Sequence, residues 1–159
     1  MDSFRKALAI DPKFAAAHYH LGVALWLAGN HQKALPSLER AARLGPKIFD
    51  YRYRYGAALS ELGRFTDAST ELNAAIELQA NNAAAWNQLG IALQRQGDRG
   101  SAAEAYSKAA GLEPRNSDFH NNYGLMLLET GAPEKAIAQF QAVLASDPRN
   151  QGSLGNIGL

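Results

Sequence analysis

The chain has 159 residues and a formal charge of +1, from 16 basic and 15 acidic side chains. This balance argues against a mainly electrostatic partner such as duplex DNA or an anionic membrane surface. It contains no cysteine, which excludes a disulfide framework and a thiolate zinc site. No apolar stretch is long enough to span a bilayer and the N-terminus lacks the layout of a secretory signal, so we expect a soluble chain and favour the cytoplasm.

Four series of small or turn-forming residues recur along the chain with one period of 34 residues. Two are glycine series: Gly22, Gly56, Gly90, Gly124 and Gly158, then Gly29, Gly63, Gly97 and Gly131. The others are Ala34, Ala68, Ala102 and Ala136, and Pro12, Pro46, Pro114 and Pro148, with Ala80 in the missing proline slot. A fixed period of this length indicates an array of stacked structural repeats.

In chain order, the period divides the sequence into one array over residues 1–159. Residues 1–13 are predicted to form only the second helix of a partial repeat. Four full repeats follow at 14–47, 48–81, 82–115 and 116–149, and 150–159 begin a further repeat. Because both ends fall inside a repeat, we expect the chain to be a fragment of a longer array. The apolar residues at these ends favour covering by another copy: Phe4, Leu8, Ile10, Leu154 and Ile157. Alternatively, residues 150–159 fold back onto the fourth repeat and shield it within one chain.

Each full repeat is predicted to contain two helices. In the third, Trp86, Leu89 and Leu93 lie on one helical face, and a second face carries Ala102, Tyr106, Ala109 and Ala110. The glycines of the second series end the first helices, and the prolines end the second helices. We expect Gly90 to meet Ala102 where the two helices cross.

Local signals at the helix ends differ between repeats. Asn82, Asn116 and Asn150 are predicted N-caps, whereas Phe14 and Ile48 occupy the same slot without a capping side chain. Pro36 lies inside a predicted second helix, where it lacks an N–H donor. We therefore expect either a late helix start or a local bend at Pro36.

These residues resemble the tetratricopeptide repeat family, whose 34-residue pattern is W-x2-L-G-x2-Y, then A-x3-F, then P. The third repeat carries Trp86, Leu89, Gly90, Ala102, Tyr106 and Pro114, and the fourth carries Tyr123, Gly124, Ala136, Phe140 and Pro148. Leucine replaces the pattern's tyrosine at Leu25, Leu59, Leu93 and Leu127. The resemblance implies an all-α fold, a right-handed solenoid of helix-turn-helix repeats in which the first helices line a concave groove.

The resemblance assigns several residue series to this groove. Polar side chains occupy one slot, at His20, Arg54, Gln88, Asn122 and Asn156, and a neighbouring slot holds Tyr19, Tyr53, Asn87 and Asn121. An apolar stripe runs beside them, at Val23, Ala57, Ile91, Leu125 and Leu159. This surface suits an extended peptide and resembles in part the asparagine ladder of the O-linked N-acetylglucosamine transferases. Alternatively, these positions are polar only because they are exposed.

A carboxylate clamp like that of the family's co-chaperones is not expected, because the groove slots lack lysine. Arg54 and Arg95 are the groove arginines, and four acids oppose them: Asp50, Glu61, Asp118 and Glu129. The alternating segment Tyr51–Tyr55 could stack on nucleic acid. On a helix, however, neighbouring side chains point in different directions. The preferred interpretation is that Tyr55 lies in the core and that the segment makes a local contact with a bound peptide.

The sequence contains no arrangement of nucleophile, base, metal ligands or phosphate-binding glycines, so we expect neither catalysis nor a cofactor or metal. Trp26 is interpreted as a binding anchor or as a packing residue. The leading hypothesis is a protein–protein interaction scaffold that binds a peptide or partner segment in the groove, without nucleic acid, membrane insertion or a small-molecule substrate. The alternatives are self-assembly through the solenoid ends and a non-catalytic arm of a larger enzyme.

Overall fold

The computed structural model describes residues 1–158. Within them it contains ten α-helices and no strand. The helices are α1 (Asp2–Ile10), α2 (Ala15–Leu27), α3 (His31–Leu44), α4 (Phe49–Glu61), α5 (Phe65–Leu78), α6 (Ala83–Gln96), α7 (Arg99–Leu112), α8 (Ser117–Glu129), α9 (Pro133–Ser146) and α10 (Gln151–Ile157). We call α2, α4, α6, α8 and α10 the first helices and the others the second helices. In the described chain, no helix is both long and apolar enough to cross a bilayer.

The chain packs as two compact units, Met1–Ala80 and a second unit that begins at Asn81. This division lies one residue before the predicted repeat boundary at 81/82. In the first unit, α2 packs on α3, and α4 packs on α3 and α5. In the second, α6 packs on α7, α7 on α8, and α8 on α9, with α10 against α9.

Glycine ends the first helices as predicted, since Gly29, Gly63, Gly97 and Gly131 all have φ between 75° and 89°. This left-handed backbone conformation costs glycine little, because it has no Cβ. Gly158 has φ 80° as well and is the C-cap residue of α10. Turns also fall at Pro12, Pro46, Pro114 and Pro148, and at Ala80.

The predicted asparagine caps are confirmed. Asn82 accepts a hydrogen bond from the Ala85 N–H at 2.9 Å, and Asn116 and Asn150 cap α8 and α10 in the same way. Phe14 and Ile48 precede α2 and α4 without a side-chain cap. Asp98, which the sequence analysis did not single out, caps α7 by accepting from the Ser101 N–H.

Two packing details add to what the sequence predicted. The helix containing Pro36 begins at His31 and not later, because Ala34 and Leu38 on either side of the proline are fully buried and hold the helix together. A bend at Pro36 stays a prediction. The three atoms nearest to a Cβ added at Gly90 all belong to the ring of Tyr106, which lies one turn after Ala102 on α7.

Candidate functional site

The first-helix face of the first unit is aromatic. On α2, the Tyr19 ring lies 5.3 Å from the His20 ring and 4.9 Å from the ring of Tyr51 on α4. His20 also stacks on Phe4 of α1, with 5.6 Å between ring centroids. Phe4, Tyr19 and Tyr51 are half-buried and His20 is exposed. Three helices therefore contribute to one continuous row of rings.

The alternating segment of α4 divides among three environments. Tyr55 is buried in the core as predicted, and Tyr53 stacks almost parallel on Phe49 at 5.4 Å. Arg54 is exposed. Arg52 forms a 2.6 Å ion pair with Glu71 and also donates to the Pro46 carbonyl. The side chains diverge around the helix, as the preferred interpretation of this segment expected.

The first-helix face of the second unit is built from amides that join neighbouring helices. The Nδ2 of Asn122 on α8 donates to the Oδ1 of Asn87 on α6 at 2.9 Å. Asn121 accepts from the Ser153 hydroxyl of α10 at 2.8 Å. Gln88 and Asn156 are half-buried on the same helices. The predicted ladder is thus partly a set of bonds between helices, which spacing alone did not indicate.

The apolar stripe is accessible mainly at Leu125, whose side chain is 41% exposed. Ile91 is half-buried and packs against the cluster of Ala102, Tyr106 and Met126. In the first unit Val23 is half-buried and Ala57 is buried. Leu128 is as exposed as Leu125 and was missed, because it is not part of the predicted stripe. Leu159 lies outside the described residues.

Charged groups on the second unit are linked to the core by a chain of hydrogen bonds. The Tyr106 hydroxyl donates to Gln94 Oε1 at 2.8 Å, and Gln94 Nε2 donates to Glu129 at 2.7 Å. Arg99 lies 3.6 Å from the same carboxylate, while Arg95 is exposed. Burial, with a smaller contribution from Glu129, raises the pKa of Tyr106 to about 12. The Tyr106 hydroxyl is therefore a hydrogen-bond donor at neutral pH.

A second recurring feature, not found from the sequence, anchors the turns between helix pairs. His18, Arg52 and His120 bond the carbonyl oxygens of Pro12, Pro46 and Pro114 at 2.9, 3.3 and 3.1 Å. Each side chain lies six residues after its proline, and the three positions fall on the 34-residue period, with Trp86 in the remaining slot after Ala80. The signal was available in the sequence, but the mixture of histidine and arginine obscured it.

Trp26 has a structural partner within its own helix pair. Its ring stacks on His31 with 4.2 Å between centroids and 11° between planes. It also packs against the buried cluster of Leu21, Leu25 and Ala34. The packing interpretation of Trp26 therefore has direct contacts that support it.

Comparison with known proteins agrees with these repeats. A sequence profile described as tetratricopeptide repeat matches residues 2–47 and 87–150, and a second, described as TPR repeat, matches 56–97. No curated protein sequence matches the chain. The helical architecture and the matched repeats define a helical-repeat protein of all-α class. The chain belongs to the tetratricopeptide repeat family.

Solved structures confirm the predicted all-α solenoid. The crystal structure of YrrB, described as a TPR protein with an unusual peptide-binding site, is 26% identical with a TM-score of 0.88. The alignment covers 98% of this chain and 80% of YrrB. MamA from Desulfovibrio magneticus RS-1, from residue 41 to the end, is 24% identical with a TM-score of 0.86, and the alignment covers 93% of this chain and 84% of that one.

Proposed function

We propose that the chain is a protein-interaction module that binds an extended polypeptide segment on the first-helix face of its second unit. Tetratricopeptide repeats typically serve as non-catalytic scaffolds, and the similar protein YrrB is described as having a peptide-binding site. The residues proposed to contact the segment lie on α6, α8 and α10: Asn87, Gln88, Ile91, Arg95, Asn121, Asn122, Leu125 and Asn156.

The observation that carries this proposal is the combination of amides with exposed Leu125. A primary amide has two donors and one acceptor oxygen, so it matches both the N–H and the C=O of a peptide backbone. The bond from Asn122 to Asn87 uses one donor and one acceptor, and it holds both side chains in a defined orientation. The remaining amide groups can bond a ligand backbone while Leu125 receives an apolar side chain.

The test uses twelve-residue random peptides displayed on phage, followed by calorimetry of a selected peptide with the full chain. Gln88→Ala combined with Asn156→Ala removes two amides without removing the Asn122–Asn87 bond. At about 0.5–1.5 kcal/mol for each lost hydrogen bond, affinity should fall by roughly 5- to 150-fold. Circular dichroism should report unchanged helicity.

The matched control is Ser107→Ala with Gln141→Ala, two exposed positions on the second helices α7 and α9. This double variant should bind the selected peptide like the wild type. Equal losses in both double variants, or failure to select any peptide, would count against a binding face on the first helices of the second unit.

A further inference from the structure

The first unit places rings where the second unit places amides. The contact between Tyr19 and Tyr51 joins residues 32 apart, and the bond between Asn121 and Ser153 joins the corresponding residues of the second unit, also 32 apart. The same repeat geometry therefore presents two different surfaces for recognition. A ligand that fits the amides is not expected to fit the rings equally well.

The aromatic row is defined as Phe4, His20, Tyr19 and Tyr51, with successive centroid distances of 5.6, 5.3 and 4.9 Å. Because these rings pack on one another across α1, α2 and α4, their orientation is fixed before a ligand arrives. Little side-chain entropy remains to be lost on binding. The rings are only partly buried, so part of their apolar surface is available to a ligand.

The polar groups on and near this surface include several hydrogen-bond donors. Burial raises the pKa of Tyr51, with further contributions from Tyr19 and Asp50, and burial also raises the pKa of Tyr53. Their hydroxyls therefore keep their protons at neutral pH. Arg54, exposed beside Tyr53, can donate but cannot accept. Of the side chains near the row, the Asp50 carboxylate is an acceptor only.

We propose that the aromatic row binds a proline-rich segment of a partner protein in the polyproline II conformation. Proline has no N–H, so such a segment offers carbonyl acceptors and apolar rings but few donors. The hydroxyls of Tyr19 and Tyr51 can donate to these carbonyls, and the ring faces of the row can pack on the proline rings. The polyproline II helix is also extended before binding, which lowers the entropic cost of docking on an aromatic surface.

This inference rests on the proposed function only in that the chain binds polypeptides, since it uses the other unit. The probe is a decaproline peptide, compared by calorimetry with a ten-residue Gly-Ser peptide on the full chain. We expect decaproline to bind measurably more tightly than the Gly-Ser peptide. Equal binding of the two peptides, or no binding of either, would overturn the inference.

Two substitutions of one residue separate ring packing from hydrogen bonding. Tyr19→Phe keeps the ring and should weaken decaproline binding by about 2- to 13-fold, the equivalent of one hydrogen bond. Tyr19→Ala should weaken it further. Helicity is measured for both variants. If Tyr19→Ala fails to fold, the decaproline affinity of Tyr19→Phe alone decides the test. Normal decaproline binding by folded Tyr19→Phe and Tyr19→Ala variants would contradict the inference.

The variant Gln88→Ala with Asn156→Ala is the control in the second unit, and it should bind decaproline like the wild type. If this variant no longer binds decaproline while Tyr19→Ala still binds it, the aromatic row is not the proline site. A peptide site on the second unit would then remain supported. If phage-selected peptides bind but decaproline does not, only the aromatic-row inference fails.

Discussion

Gly90 lies directly against the ring of Tyr106, so that a Cβ added at Gly90 would come within 2.7 Å of the ring atoms Cδ1 and Cε1. The same relationship recurs one and two periods before Gly90 and one period after it. The other pairs are Gly22 with Leu38, Gly56 with Leu72, and Gly124 with Phe140. A first helix and its second helix therefore approach closely at a glycine that faces a large apolar side chain.

Gly90→Leu should lower the free energy of unfolding by about 1–3 kcal/mol, because the added side chain overlaps a fully packed ring. Gly111→Leu on α7 is the matched control, since nothing lies within 4 Å of a Cβ added there. The control should be neutral or slightly stabilising, because leucine favours helix more than glycine does. Denaturant titration measures both, and an unchanged midpoint for Gly90→Leu would contradict the close approach.

Tyr106 should make the protein less stable at high pH. Its folded pKa is about 12, above the ordinary value of 10.0, so between these values the unfolded chain loses the proton while the folded chain retains it. The contribution of this pKa difference to the free energy of unfolding is fully present below about pH 10. It is lost as the pH rises toward 12, which lowers the free energy of unfolding by roughly 2–3 kcal/mol. Tyr106→Phe should remove this loss of stability at high pH. Phenylalanine should fit the site, because Phe140 occupies the same position in the next repeat.

Urea titrations of wild type and Tyr106→Phe at pH 8 and pH 11.5 provide the measurement, because titration of the other side chains cancels between the two proteins. If both proteins lose the same stability between these pH values, the burial of Tyr106 does not control its ionisation.

The Asn122–Asn87 bond should contribute to folding as well as to the proposed binding face. Asn122→Ala and Asn87→Ala should each cost about 0.5–1.5 kcal/mol in stability. In a double-mutant cycle their effects should be less than additive by a similar amount, because either substitution removes the same bond. Strictly additive effects in chemical denaturation would show that the two amides are not coupled.

The uncapped start of α4 offers a stabilising substitution. Ile48 is 43% exposed and does not cap the helix, so Ile48→Asn should gain a hydrogen bond to the first turn and raise stability by about 0.5–1.5 kcal/mol. Asn82→Ala on α6 is the reciprocal change and should lose about as much. Thermal unfolding of both variants tests whether the cap follows the residue type.

Association through the N-terminal helix is expected at high concentration. Ile10 is 87% exposed, whereas Phe4 and Leu8 pack on the cluster around Leu21 and Leu25. Ile157 packs against the cluster of Leu127, Ala136 and Phe140, so it is shielded within the chain. Ile10→Lys should reduce any concentration-dependent mass in light scattering. A wild-type protein that stays monomeric at every concentration would remove self-assembly from consideration.

The repeat period predicted the helices well because each punctuating residue has a local cause. Glycine permits a positive φ, asparagine caps through its own side chain, and proline prevents continuation of the preceding helix. These effects act within a few residues and can be read from spacing. Pro36 shows the limit, since burial of Ala34 and Leu38 keeps the helix intact across a residue that disfavours it.

The candidate site was less predictable, because its polar groups bond across helices. Spacing placed Asn87 and Asn122 in neighbouring slots, but it did not indicate that one donates to the other. Nor did it show that Tyr19 meets Tyr51, since that contact depends on how α2 and α4 lie side by side. Side-chain direction and exposure depend on tertiary packing, which a one-dimensional period does not contain.

The two tryptophans of the chain fall one in each unit, Trp26 in the first and Trp86 in the second. Trp26 stacks on His31, whereas Trp86 packs beside the cluster that includes Ala83 and Phe119. Their fluorescence therefore reports separately on the two halves once the other indole is replaced by phenylalanine. Coincident melting curves from two such single-tryptophan proteins would show one cooperative transition, and separated curves would show repeats that unfold in sequence.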